Sequence, residues 1–250
     1  TMFEIYHHFF DANECTQLSK DILSLREHFI PRSPSLSYFG GNFFDHLSKN
    51  NYNSEAAIPG YELVKDKEIY RGYWHNLLVD KLTDIGKPNP QYTNYFSRPG
   101  FQLVENQFPG PGIWHYNSEK IVFPYQKEFI DYDYSFNTYF DAVYTFTIML
   151  TEGDFTFDYY PQTKGSWKND FWEDLKDIPC TQHHHIVGDV CPNPDCTLTE
   201  YQTVHYQQGT MLLQTSKFLH RIGPSQFTGN HRLTMQGQAL LKDNKFYLYW

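Results

Sequence analysis

The stretch that decides the fold is VHYQQGTMLLQTSKFLHRIGPSQFTGNHRLTMQGQALL, residues 204–241. Within it, residues 209–215 are dense in apolar and β-compatible side chains, and residues 232–241 alternate polar with apolar side chains until the last positions. Both runs predict strands. Between them, Gly223-Pro224 and Gly229-Asn230 supply the backbone angles that a reversal needs. The pattern therefore predicts that the second strand folds back beside the first.

The second of these runs predicts a strand with two different faces. Its period of two residues places Arg232, Thr234 and Gln236 on one face and apolar residues on the other. A guanidinium inside a barrel is costly unless a carboxylate meets it, and the neutral imidazole of a residue such as His220 is the commonest metal ligand. Alone, a histidine is more often an ordinary surface or core residue, and a strand arginine usually faces solvent. Together they predict half of an active site.

The order of these features resembles a known family. The chain is here similar to the C-terminal part of the Fe(II)/2-oxoglutarate-dependent oxygenases. The similarity lies in the order of four features: a strand, Leu-His-Arg at residues 219–221, a turn, and Arg-Leu-Thr at residues 232–234. Residues 101–117, FQLVENQFPGPGIWHYN, resemble the first core strand, glycine-containing turn and His-x-Asp of that family. Residues 143–158 resemble the next core strands. The resemblance covers about residues 100–241, with two long interruptions.

This resemblance implies an α+β protein with a double-stranded β-helix (jelly-roll) core, supporting N-terminal helices and two long inserts. It implies Fe(II) held by His115 and His220, with Asn117 at the position of the family's metal-binding acid. It also implies that Arg232, aided by Thr234, binds the far carboxylate of 2-oxoglutarate. The expected reaction is hydroxylation, a related oxidation or halogenation at an unactivated C–H bond of a small molecule or peptide.

Asn117 departs from the family pattern, because an amide has no negative charge with which to hold Fe(II). Three interpretations of position 117 remain open. Asn117 binds the metal weakly through its carbonyl oxygen, it leaves a coordination position open for water or halide, or a carboxylate from elsewhere in the chain binds in its place. The nearby acids are Glu119, Asp131, Asp133 and Asp141. A fourth reading is a non-catalytic jelly-roll protein that only binds a ligand.

Length and composition bound the remaining possibilities. A chain of 250 residues with 40% apolar and 18% aromatic side chains can form one domain with a large core. We expect helical support over about residues 1–99 and the jelly-roll core over about residues 100–250. The net charge of −9 argues against nucleic-acid partners. Without a long apolar run or a signal-peptide pattern, the sequence predicts no membrane association and a cytoplasmic location; it leaves the oligomeric state open.

The part before the core predicts few regular elements. Residues 2–10 predict an edge strand, and residues 12–28 a helix that opens at a capping box formed by Asp11. Residues 31–66 are rich in Pro, Ser, Gly and Asn and predict loops. Residues 69–85 repeat apolar side chains at helical spacing and predict a second helix that ends at a glycine.

Two inserts interrupt the predicted core. Residues 118–142 are rich in aromatic side chains, which suit a lid or pocket wall and equally suit a segment packed outside the barrel. The other insert, residues 159–203, contains three of the four cysteines and a triple histidine: Cys180, Cys191, Cys196 and residues 183–185. Their spacing lacks the paired short repeats of a strong zinc signature, so free thiols are favoured over zinc and over a disulfide such as Cys191 to Cys196.

Overall fold

The longest described strand, β12 (His231–Lys242), lies within a large sheet and pairs with three other strands. In this computed structural model the described residues are 3–39, 73–92, 99–105, 142–160, 201–215, 220–223 and 226–249. Several features predicted from the sequence lie outside these ranges. They are the two inserts except for their edges, the cysteine and histidine cluster, His115, Asn117 and the four nearby acids.

The large sheet contains nine of the described strands. They are β1 (Phe3–Tyr6), β2 (Ile30–Ser33), β3 (Leu36–Phe39), β4 (Pro90–Tyr92), β5 (Gly100–Glu105), β6 (Ala142–Met149), β9 (Met211–Thr215), β12, and β13 (Lys245–Tyr249). The order is β1-β9-β6-β12-β5-β3-β2, and β13 pairs with both β12 and β4. Every pairing is antiparallel except that of β13 with β4.

The small sheet contains four of the described strands, and all of its pairings involve the same strand. They are β7 (Gly153–Tyr159), β8 (Gln202–Tyr206), β10 (His220–Ile222) and β11 (Gln226–Phe227). Strand β7 pairs antiparallel with β8, β10 and β11. A mostly antiparallel protein with two sheets and few helices in its described part is consistent with the predicted jelly-roll core.

Two α-helices lie in the described ranges. Helix α1 (Ala12–Leu23) opens at the capping box, in which the Asp11 side chain accepts from the Glu14 backbone and the Glu14 side chain accepts from the Asp11 backbone, both at 2.8 Å. It ends earlier than predicted, and a short 3-10 helix at residues 26–28 follows. Helix α2 (Tyr73–Asp84) is followed by Gly86, whose φ of +82° is the left-handed conformation typical of a helix end. No described helix has the length and apolar character required to cross a membrane.

Each face of the large sheet contributes to a different apolar cluster. On the outer face, Leu233 and Met235 of β12 belong to one buried cluster with Leu18 of α1 and Trp74 of α2. On the inner face, side chains of β6 and β9 belong to a second cluster with side chains of the small sheet: Met149, Leu212, Phe155, Phe157, Tyr159 and Tyr206. The two sheets therefore pack face to face, and the alternation along β12 separates an outer apolar face from an inner polar one.

The start of β9 is fixed by a glycine. Gly209 has φ of +81°, and a Cβ at that position would lie 2.1 Å from the backbone oxygen of Phe10. Its carbonyl accepts a hydrogen bond from the Phe10 backbone at 3.1 Å, and its N–H donates to the Met149 carbonyl at 2.7 Å. The close approach joins the N-terminal segment, β6 and β9, and sets which β9 side chains face the interior.

Two expectations from the sequence were wrong. Residues 31–66 were expected to be loops, yet the described part of this range contributes to β2 and to all of β3. Strand β3 pairs with β5, and Phe39 is fully buried with its ring 6.2 Å from that of Phe101. Pairing with a distant strand stabilises these short segments, although their own sequence has no sustained period.

The second error concerns the two strands of the opening stretch, which were expected to lie side by side. Strand β6 lies between β9 and β12 and pairs with both. The chain between them does not form a simple reversal, because β10 and β11 pair with β7 in the small sheet. The segment that carries His220 is therefore on the sheet opposite Arg232, and not on a hairpin beside it.

Candidate functional site

The inner face of the large sheet carries a row of polar side chains. Directly paired residues of neighbouring strands project from the same face. Tyr38 of β3 is opposite Gln102 of β5, which is opposite Thr234 of β12, which in turn is opposite Met149 of β6. Met149 belongs to the cluster shared with the small sheet. This row, and Arg232 two residues before Thr234, therefore face the interior between the sheets.

Arg232 is buried without a counter-ion in the described part of the chain. Arg232 is only 8% exposed, and its Nε has no hydrogen-bond partner. Burial lowers the pKa of the guanidinium, and the nearby hydroxyls of Tyr206 and Tyr38 act in the opposite direction. An arginine stays charged in a protein. A buried charge of this kind is costly unless an anion meets it, so the site suits a carboxylate.

The amides beside Arg232 satisfy one another. Gln236 Nε2 donates to Gln102 Oε1 at 2.9 Å, and Gln102 Nε2 donates to the Tyr38 hydroxyl at 2.8 Å. Thr234 is 2% exposed. Its hydroxyl donates a hydrogen bond to the backbone carbonyl of Gln102 at 3.5 Å. This ladder fixes the side chains around the guanidinium without using its hydrogen-bonding capacity. Arg232 therefore remains available to a ligand.

His220 enters the same interior from the small sheet. It is 2% exposed and lies opposite Tyr159 of β7 in the register. Its ring stacks on Phe157, with centroids 5.4 Å apart and planes at 24°. Its Nε2 lies 3.5 Å from Nε2 of Gln214 on β9 of the large sheet. The imidazole is therefore held by its face and has one nitrogen close to the opposite sheet.

An ion pair beside His220 attaches β10 to β7. Arg221 Nε donates to Asp158 Oδ2 at 2.8 Å, and the Thr203 hydroxyl donates to Asp158 Oδ1 at 2.7 Å. The Arg221 and Asp158 side chains are only 4% and 3% exposed. Because successive strand residues point to opposite faces, the pair on one face leaves His220 directed into the interior.

The structure brings together three of the five site residues that the sequence predicts. His220, Arg232 and Thr234 line one interior, on β10 and β12. His115 and Asn117 lie outside the described residues, so their roles stay predictions. Within the described ranges, no group of three or more His, Cys, Asp or Glu side chains is placed to hold a metal ion. The described part thus contributes one imidazole, a buried arginine and neutral polar groups.

Sequence reasoning missed three interior residues. Gln214 is the one amide side chain in β9, whose other residues are mostly apolar. A polar residue within an apolar strand is the signal that could have identified it as a site residue. Tyr38 lies in a segment that was expected to be a loop, so nothing indicated its face. Tyr206 is 2% exposed, and burial raises the pKa of its hydroxyl while Arg232 lowers it. Its position near Arg232 depends on the packing of two sheets, which no local pattern encodes.

No protein-family model matches this sequence, and no curated protein sequence matches it. Among solved structures, the chain is similar to a novel N-substituted L-amino acid dioxygenase from Burkholderia ambifaria AMMD, with 14% identity, a TM-score of 0.51, and coverage of 100% of this chain and 86% of that one. It is also similar to HygX from Streptomyces hygroscopicus with nickel and 2-oxoglutarate bound (15% identity, TM-score 0.44, 95% and 82% covered). A third similar structure is SnoN, a non-heme alpha ketoglutarate dependent epimerase from nogalamycin biosynthesis (11%, 0.44, 96% and 80%). The likeness to the dioxygenase is one of fold, and it agrees with the jelly-roll core predicted from the sequence.

Proposed function

We propose that this protein is an Fe(II)/2-oxoglutarate-dependent oxygenase that oxidises an unactivated C–H bond of a small molecule or peptide. The observation that carries the proposal is Arg232, a buried guanidinium without a counter-ion among the described residues, on the sheet face opposite the one that presents His220. The similar fold of a known dioxygenase supports the proposal by analogy.

Arg232 is the residue that binds the far carboxylate of 2-oxoglutarate. Its planar fork can donate two parallel hydrogen bonds to a carboxylate. Thr234 lies on the same strand face, and the hydroxyls of Tyr206 and Tyr38 are near enough to affect the pKa of Arg232. The ladder of Gln102 and Tyr38 holds this wall of the site in place before the ligand arrives.

His220 is a metal ligand in this proposal, with His115 as the second histidine and Asn117 at the position of the usual acid. Stacking on Phe157 and the ion pair of the neighbouring Arg221 fix the ring of His220. Asn117 then acts through its carbonyl oxygen or leaves a position open, or one of Glu119, Asp131, Asp133 and Asp141 completes the site.

The chemistry that Fe(II) and 2-oxoglutarate supply when bound is the activation of dioxygen, which the side chains of this chain cannot perform. The protein contributes a dry interior. Phe155, Phe157, Tyr206, Met149 and Leu212 form the buried cluster between the sheets and exclude water around the two polar ends of the site.

Anaerobic titration tests the proposal. Fe(II) and 2-oxoglutarate added together should produce a visible charge-transfer band, and 2-oxoglutarate should raise the thermal unfolding midpoint. His220→Ala should lose the metal, whereas Arg232→Ala should keep it and lose the cosubstrate. His205→Ala is the matched control, because its side chain is 70% exposed and it should bind both like the wild type.

The rival function is that of a jelly-roll protein that binds a ligand without a redox centre. It predicts no charge-transfer band and no stabilisation by 2-oxoglutarate, with Arg232 holding some other carboxylate. That pair of results would reject the oxygenase proposal.

A further inference from the structure

The inner face of β6 and β12 is both polar and accessible to solvent. Thr145 of β6 is opposite Gln238 of β12, and Thr147 is opposite Gln236. These four residues, the inner polar patch, are half-buried, whereas the outer-face residues that alternate with them are buried: Phe146, Ile148, Gly237 and Ala239. In two packed sheets the inner faces normally form the core. The reverse pattern here indicates that the inner polar patch lines a space between the sheets that solvent enters.

The inner polar patch carries hydrogen-bonding groups and no charge. Each amide supplies donors and an acceptor, and each hydroxyl both donates and accepts. The charged residues that flank the patch on β12 have other roles or partners: the proposed function assigns Arg232 to 2-oxoglutarate, and Lys242 forms an ion pair with Asp243 at 3.8 Å. A charged group placed against neutral side chains loses its hydration without gaining a counter-charge. The patch therefore suits a molecule that is uncharged and rich in hydrogen-bonding groups.

The spacing of the inner polar patch favours a compact ligand over an extended peptide. Directly opposite residues of paired strands lie about 5 Å apart, and positions two residues apart on one strand lie about 7 Å apart, so the patch is a grid and not a line. An extended peptide binds by adding its main chain to the free edge of a sheet. Strands β6 and β12 offer no such edge, because β6 lies between β9 and β12, and β12 lies between β6 and β5. A small molecule with several hydroxyl groups matches the grid.

The inner polar patch is adjacent to the proposed metal ligand. Thr145 is opposite Gln214 of β9 as well as Gln238 of β12. The Nε2 atom of Gln214 lies 3.5 Å from Nε2 of His220. A molecule bound on the patch therefore has one side close to the imidazole, where the proposed oxidation takes place.

We propose that the substrate of the oxygenase is an uncharged, hydroxyl-rich small molecule that hydrogen-bonds to the inner polar patch. This inference rests on the proposed function, and it narrows the substrate from a small molecule or peptide to one chemical class. Removing a hydroxyl and an amide from the patch should weaken the binding of that class, because substrate hydroxyls buried there would lose their partners.

Saturation-transfer NMR in the presence of Zn(II) and 2-oxoglutarate tests this assignment with probes of known chemistry. The hydroxyl-rich probes are myo-inositol and methyl β-D-glucopyranoside, and the peptide-like probe is N-acetylalanine methylamide. The wild type should bind at least one hydroxyl-rich probe and should not bind the peptide-like probe. The double variant Thr147→Val, Gln238→Leu should weaken that binding by about tenfold. Gln17→Leu is the matched control, because Gln17 is exposed on α1, and it should bind like the wild type.

Three results would overturn the inference: neither hydroxyl-rich probe binds to the wild type, the peptide-like probe binds more tightly than both, or the double variant binds with unchanged affinity. Circular dichroism reports folding. Should the double variant not fold, Thr147→Val alone decides, because it removes one hydroxyl from a side chain of similar shape and should weaken binding about threefold. The charge-transfer band tests the oxygenase proposal separately. A band without probe binding rejects only the substrate class, and probe binding without a band rejects the oxygenase proposal.

Discussion

Replacement of Arg232 by methionine should produce two opposite effects in one protein. Methionine has a similar length and no charge, so it fills the space on β12 without requiring an anion. Because Arg232 has no ion pair in the described part of the chain and its Nε has no partner, the ligand-free protein should become more stable. The same change should weaken the binding of 2-oxoglutarate.

The two magnitudes follow from the burial of this residue, which is 8% exposed. Replacing buried ionic groups by apolar ones stabilises proteins by about 1 to 4 kcal/mol in favourable cases, and each kcal/mol raises the unfolding midpoint of a chain of this size by about 2 to 4 °C. Removing one partner of a buried charged contact costs about 2 to 5 kcal/mol of binding free energy. At 1.4 kcal/mol per factor of ten, the dissociation constant for 2-oxoglutarate should rise about 30- to 4,000-fold.

Thermal unfolding without ligand and calorimetric titration with 2-oxoglutarate and Co(II) measure the two effects. Arg26→Met is the matched control, because Arg26 is 53% exposed in its surface ion pair with Glu105. Such pairs contribute about 0 to 1 kcal/mol, so this variant should be close to the wild type in both assays. An Arg232→Met protein that is less stable than the wild type and binds 2-oxoglutarate with unchanged affinity would refute the reasoning.

Three further predictions concern other sites. Asn117→Asp should bind Fe(II) more tightly and change the products of turnover, because it restores a charge two residues from His115; a metal titration showing level or lower affinity would mean that Asn117 does not face the metal. Asp158→Asn should lower the free energy of unfolding by about 3 to 5 kcal/mol in urea denaturation, because it leaves buried Arg221 without its counter-charge; a loss below about 1 kcal/mol would contradict this. Burial raises the pKa of the Cys15 thiol to about 12, so peptide mass analysis should find it unlabelled by iodoacetamide at pH 8 in the folded protein and labelled after denaturation.

Elements governed by local rules could be predicted from the sequence. The alternation in β12 gives the inner position of Arg232 and Thr234 and the outer position of Leu233, because side chains of a strand alternate whatever its neighbours are. The capping box at Asp11 is equally local, since its two hydrogen bonds join residues three apart. For such features the chain itself carries the information.

Features created by distant pairings could not be predicted. The short β2–β3 hairpin has no sustained period, and it is a pair of strands because β5 offers an edge to β3. The insertion of β6 between β9 and β12 is likewise a matter of sheet order. For the same reason, the turn between the two runs indicated adjacent strands, and the arrangement that brings His220 and Arg232 into one interior from opposite sheets could not be predicted.

The two unsatisfied atoms on the inner face make complementary demands. Arg232 requires an acceptor with negative charge, whereas Oε1 of Gln214 requires a donor or a cation. Under the proposed function, the far carboxylate of 2-oxoglutarate meets the demand of Arg232, whereas rotation of the Gln214 amide lets its oxygen accept a hydrogen bond from the ring N–H of His220. Under the proposed function, the cost of burying the Arg232 guanidinium without a counter-ion in the ligand-free protein is therefore recovered when the cosubstrate binds.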